Sequence, residues 1–137
     1  MAGATYVLDK TYKIVSAAGV TEYTALVAGP ADGQVQLPTA ANQLVMGIAQ
    51  ENQPNQNENV VVRKYGISRA VAAGAITAGQ YVEVANTLGQ LQQSNLTSVP
   101  ATATLHNIVG IAESSTTQAG EVFFVFLSPA PTVVPVS

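Results

Sequence analysis

Short runs rich in Val, Ile and Thr alternate along this chain with clusters of Gly, Pro, Asn and Asp. That rhythm predicts β-strands joined by turns. Strands are expected over residues 11–15, 23–27, 34–37, 45–50, 60–67, 81–84, 90–92, 107–112 and 121–127, the last being the most apolar. Residues 39–43, after Pro38, leave room for one short helical turn. Residues 69–75 are Ala-rich, but Gly74 interrupts them and so short an isolated helix is marginal, so they read as strand and turn. Polar residues 52–59, 93–104 and 114–120 predict loops. Residues 129–137 carry Pro129, Pro131 and Pro135. They are expected to be extended, and the prolines speak against continuous sheet pairing.

The pattern repeats. Val45-Met46-Gly47-Ile48-Ala49 matches Ile108-Val109-Gly110-Ile111-Ala112, 63 positions on. Each motif is followed by a polar loop ending in Glu (Glu58 and Glu121, again 63 apart) and then by a Val- or Phe-rich strand. A hairpin used twice suggests one small all-β domain, a β-barrel or sandwich with two related hairpins. The domain is expected over residues 10–128, with an N-terminal arm over 1–9 and an extended tail over 129–137. A chain of 137 residues suits a single domain.

Composition sharpens this. Only 9% of residues are charged, against about 25% in an ordinary globular protein, and the net charge is −3. Five Lys and Arg neutralise few phosphates, so nucleic-acid binding is not expected. With 47% apolar residues, disorder is not expected either. No apolar run reaches the roughly 18 residues of a membrane span, and the first residues lack the pattern of a secretory signal. Polarity comes instead from 11 Gln, 8 Asn and 13 Thr, and apolar mass from 21 Ala and 19 Val. Such a surface suits close contact with other proteins, because few charges need desolvating.

The chain offers little for catalysis. There is no Cys and one His, His106, which reads as an ordinary surface or loop residue. It has no partners of metal-ligand spacing. Glu51 and Glu58 flank one loop and Glu113 and Glu121 another. They read as solvated carboxylates bordering the exposed side rather than as an acid–base pair. No phosphate-binding glycine motif occurs. Arg63, Lys64 and Arg69 form a local basic group, and the adjacent pair must point to opposite faces of a strand. No catalytic residue, metal or cofactor is expected. The ends remain as candidate partner contacts: Tyr6, Val7 and Leu8 in the arm, and Val133, Val134 and Val136 in the tail. An extended apolar segment can lie along a neighbour.

The order of these segments resembles the head decoration, or capsid cement, proteins of tailed bacteriophages. The resemblance runs over residues 10–128. It is carried by the strand near Tyr12, by Val45-Met46-Gly47-Ile48-Ala49-Gln50 and by a Val-rich strand ending in Tyr65-Gly66-Ile67. It continues through Ala73-Gly74-Ala75-Ile76-Thr77-Ala78-Gly79-Gln80-Tyr81-Val82 and Ile108-Val109-Gly110-Ile111-Ala112-Glu113 to Ala119-Gly120-Glu121. The Asn/Gln-rich loop over 52–59 and the Pro-rich tail depart from the family pattern. The resemblance implies a non-enzymatic protein on the outer surface of the virion capsid. It would bind the major capsid protein of the expanded head as a homotrimer at threefold and quasi-threefold positions, without nucleic acid or membrane. The alternative is a trimeric virion fibre or adhesion module that binds a host surface.

Overall fold

In the computed structural model, which describes residues 6–94 and 104–134, the chain is all-β, with nine strands and no helix among the described residues. They are β1 (Leu8–Ile14), β2 (Ala25–Ala28), β3 (Gln34–Gln36), β4 (Gly47–Ala49), β5 (Asn59–Val71), β6 (Tyr81–Val84), β7 (Leu91–Gln93), β8 (Thr104–Ala112) and β9 (Val122–Val134). Their order is β1-β3-β2-β4-β5-β9-β8-β6-β7, and β1 also pairs with β5. That extra pairing closes β1, β3, β2, β4 and the first half of β5 into a five-stranded barrel.

The remaining strands repeat this barrel's connectivity. In unit one β1 pairs parallel with β3, β2 pairs antiparallel with β3 and β4, and β5 follows β4 and returns to β1. In unit two the second half of β5 plays the part of β1. It is bridged parallel to β7 through Ala72 and Leu91, while β6 pairs with β7 and β8, and β9 follows β8 and returns to β5. The registers correspond residue for residue. Ile48↔Arg63 and Ala49↔Val62 become Ile111↔Phe126 and Ala112↔Val125. Val27↔Gln36 and Ala28↔Val35 become Glu83↔Gln92 and Val84↔Leu91. Turn hydrogen bonds correspond too: Ile14 N donates to Glu58 O and Ala72 N to Glu121 O, at 2.9 and 2.8 Å. Even the left-handed backbone positions are kept, as Tyr23 (φ 67°) matches Gly79 (φ 89°) and Asn57 (φ 69°) matches Gly120 (φ 90°). The expected pair of hairpins is therefore part of two whole five-stranded units sharing β5.

The cores correspond as well. Unit one buries Tyr12, Ile14, Val20, Leu26, Val35, Ala49, Val60 and Val62 together. The equivalent positions, Ala70, Ala72, Ile76, Val82, Leu91, Ala112, Phe123 and Val125, are all buried in unit two. Sizes are exchanged within a cross-strand pair. Tyr12 faces Val60, whereas Ala70 faces Phe123. One large and one small residue fill the same space from opposite strands, which keeps core volume and so costs little. The second cluster has six further members: Val84, Val109 and Leu127 of unit two, and Ala25, Val45 and Ile48 of unit one. Those three turn away from their own barrel and form the joint between the units.

The matching glycines have a steric cause. A Cβ on Gly47 would overlap the Arg63 carbonyl oxygen, and one on Gly110 the Phe126 carbonyl oxygen. Both sit where the fourth strand of a unit lies hard against the fifth.

Some boundaries differ from expectation. Residues 39–43 form bends and a turn, not a helical turn. Residues 60–71 are one strand, because Gly66 bends β5 (φ 101°) without ending it. The tail is extended as expected through Val134, but these residues are the far end of β9, paired with β8 despite Pro129 and Pro131. A proline costs a strand one donor, and a strand paired along one edge can spare donors on the other.

Two predictions follow from the packing. Phe123→Val should destabilise by about 2 kcal/mol through the cavity left. Adding Ala70→Phe should recover more than half of that loss, and a urea-unfolding double-mutant cycle should show the coupling. Phenylalanine is preferred to tyrosine at 70 because Lys64, which donates to the Tyr12 hydroxyl at 2.8 Å, has Leu127 as its counterpart. Separately, Gly47→Ala should cost on the order of 2–3 kcal/mol. Gly74→Ala, whose Cβ meets nothing within 4 Å, should stay within about 0.5 kcal/mol in the same measurement.

Candidate interaction surface

Because the registers match, the outer faces of the two units can be compared position by position. On unit one a row crosses four strands through Asp9, Arg63, Ile48 and Ala25, each paired with the next. Asp9 and Arg63 form a two-pronged ion pair, with Nε donating at 2.9 Å and Nη2 at 3.1 Å. Ile48 and Ala25 are fully buried at the joint. The row is thus charged where it meets water and apolar where unit two covers it.

The equivalent row on unit two is Ile67, Phe126, Ile111 and Tyr81, again paired strand to strand. It has no charge. None of the described residues covers it: Ile67 is 43% exposed, Ile111 39% and Tyr81 46%. Tyr65 lies against Phe126 edge to face, ring centres 5.4 Å apart. Phe124, 45% exposed, continues the apolar strip along β9, and its ring carries the Arg69 guanidinium 5.6 Å from its centre. The positions that hold an ion pair on unit one hold Ile67 and Phe126 on unit two. Removing such surface from water gains about 25 cal/mol per Å², and contiguous apolar faces on soluble proteins mark contact sites.

Of the expected contact residues, those of the arm border this strip. Tyr6 and Val7 precede β1 and are exposed, and Leu8 pairs with Tyr65. The arm crosses Gly66, where a Cβ would meet the Tyr6 carbonyl oxygen at 2.6 Å, so it borders the strip between Tyr65 and Ile67. Val133 and Val134 end β9, opposite Leu105 and Thr104. The structure does not bring this end to the arm: one pairs with β8, the other with β5. Val136 lies outside the described residues, as does most of the expected loop over 93–104.

Sequence reading missed Tyr65, Ile67, Tyr81, Ile111, Phe124 and Phe126 as surface residues. The signal was present in Val122-Phe123-Phe124-Val125-Phe126-Leu127, which is apolar at both alternating sets of positions. One set fills the core and the other must face outward.

Several of the polar candidates bond within the chain. His106 is on β8 rather than in a loop, partly buried, with Nδ1 2.9 Å from Glu83 Oε2 and 3.3 Å from Ser94 Oγ. Ser94 and Glu83 thus meet the same ring nitrogen, whereas a nucleophile relay needs them on opposite nitrogens. Gln92 donates to the other Glu83 oxygen at 3.3 Å, so the buried carboxylate is satisfied where unit one has Val27. Arg63 and Lys64 do point to opposite faces: Arg63 lies outside with Asp9, and Lys64 reaches Tyr12 and the Met46 carbonyl. Glu51 accepts from Val61 N at 3.1 Å. Glu121 accepts from Thr117 N at 2.8 Å and from the Thr117 hydroxyl at 2.9 Å. The Thr117 N–H first, and the hydroxyl second, hold the Glu121 carboxyl below the usual carboxylate range.

No family model matches the chain, and no curated protein matches it. Among solved structures the chain is similar to the N base of the head fiber protein gp8.5 of bacteriophage phi29. The TM-score is 0.61 at 17% identity, over 90% of this chain and 95% of that one. At that identity the likeness establishes a shared fold.

Thr117→Val should raise the titration midpoint of Glu121, followed by carboxyl-carbon NMR. Because the folded carboxyl titrates low, its contribution to holding the loop is whole above the unfolded value of about 4.3. It is lost as pH falls through the folded value. An unchanged midpoint would remove the Thr117 hydroxyl as a cause and leave the N–H, which the variant keeps.

Proposed function

We propose that this protein is a non-enzymatic, virion-associated component of a phage head. In this reading it is a decoration, or cement, protein on the outer surface of the capsid. It binds the major capsid protein of the expanded head as a homotrimer at threefold and quasi-threefold positions. The observation that carries the proposal is the fold shared with a head fiber base over nearly the whole of both chains. The uncharged row on the outer face of unit two and the exposed arm support it, since both suit protein contact rather than chemistry. A protein that binds only the expanded lattice stabilises it by mass action, and many weak sites add through multivalency.

A second reading has its own support. The similar structure is the base of a fiber, so this chain would equally serve as the seat of a fibre or adhesion module directed at a host surface.

Co-sedimentation with expanded and unexpanded heads separates these readings. Binding to expanded heads alone is the expected result. Tyr6→Ser with Val7→Ser should weaken it by roughly tenfold if the arm lies along the lattice. Binding to neither form of head would overturn the head-associated reading. Retention on host cells instead of heads would move the assignment to the fibre module.

A further inference from the structure

We infer that the apolar row Ile67–Phe126–Ile111–Tyr81 is the surface on which a second copy of this chain seats. This deepens the proposal above and rests on its trimer. The internal duplication indicates the occupant. On unit one the positions equivalent to Tyr81 and Ile111 are Ala25 and Ile48, both fully buried. What lies on them is another copy of the same five-stranded unit, through the cluster they share with Val84 and Leu127. The fold therefore already covers the Tyr81–Ile111 half of this row once, with itself.

Continuity supports the same occupant. The open row adjoins the joint directly, because Arg63, the second member of the unit-one row, donates through Nη1 to the carbonyl oxygen of Ile67, the first member of the unit-two row, at 3.0 Å. Charge points the same way. The row has no charged member, and Asp9 matches the Arg63 guanidinium at its border. A strongly charged partner would find nothing within the row to pair with, whereas the rows of two copies meet without like-charge conflict.

The open row is not a simple reuse of the joint. Tyr81 replaces Ala25, so the second copy must stand further off and bury more side-chain surface. The Thr104–Ala112 and Val122–Val134 strands also run on past the unit and wall one side of the row, where Tyr81, Ile108, Ile111, Phe126 and Ala130 line a shallow cleft. Repeated around an axis, such a contact closes into a ring.

The test uses the full chain without heads. Sedimentation equilibrium should give an oligomer for the wild type and a monomer for Ile67→Lys with Ile111→Lys. Self-association should weaken by at least about a hundredfold. Both positions are exposed, so circular dichroism should show the fold intact; Tyr81→Ser serves as a milder second variant. Since the chain has no Cys, Ile111→Cys also reports directly: its labelling by a maleimide should slow as protein concentration rises, and that of Thr87→Cys should not. A wild type that is monomeric throughout overturns the inference, as do variants that stay oligomeric. Head binding is scored separately. Variants that stay oligomeric but lose heads would make the row a lattice contact, sinking this inference and leaving the head-associated reading. Monomeric, folded variants sustain the inference even if the wild type binds no head.

Discussion

Everything in this structure depends on β5 being one continuous strand. Its first half pairs with β1 and β4 and closes unit one. Its second half pairs with β9 and opens unit two. A strand has a fixed rise and a period of two, so one side of β5 must be inside for both units. Val60, Val62, Ser68 and Ala70 are buried, while Tyr65, Ile67 and Arg69 are exposed. The outer faces of the two units are thereby set in one line, with Arg63 and Ile67 on the same side of the same strand. A slip of one residue would turn Tyr65 and Ile67 inward and strand Ser68 outside, so the joint and the open row stand or fall together.

With the backbone held in this way, the two units could diverge only where geometry permits. Inside, volume had to be kept, and the Tyr12/Val60 to Ala70/Phe123 exchange keeps it. Where backbones touch, Gly47 and Gly110 are forced to agree. Outside, no such limit applies, and there the units differ most. The ion pair of Asp9 and Arg63 is partly exposed, and such pairs are worth at most about 1 kcal/mol. Its role is better seen as solubility: it keeps one face wet. Ile67 and Phe126 make the equivalent face dry.

These constraints explain what could be read from the residues. Gly-Ile-Ala at 47–49 and 110–112 was legible because the close backbone approach preserves identity and the offset is constant. The rest of each unit was hidden for two reasons. Val35 and Leu91 are 56 apart and Ile14 and Ala72 are 58 apart, so no single offset aligns the halves. The exchange of large and small core residues also removes identity while conserving volume. The candidate surface was less legible still. Alternation identifies which residues share a face of β9, but Phe124 and Phe123 are equally apolar, and only the barrel's curvature decides which lies inside. The arm residues were found because they stand apart from any strand pattern, and Leu8 proved to begin one.

The sparse charge now has a structural distribution. Two of the five cations, Arg63 and Lys64, are tied to groups of this chain, and Arg69 lies over the Tyr23 and Phe124 rings, its Nη1 donating to the Tyr23 hydroxyl. Glu83 is buried beside His106, Glu121 bonds the backbone of its own loop, and Glu51 accepts from the Val61 N–H of β5. Few charges are left to keep water on the surface, and none stands within the row from Ile67 to Tyr81. A freely dispersed protein ordinarily spreads both signs across such a face to prevent self-association. Here the duplicated fold had an ion pair available at the equivalent positions of unit one and lacks it on unit two. An uncharged row at that place, with the fold around it retained, is what a surface built to be covered requires.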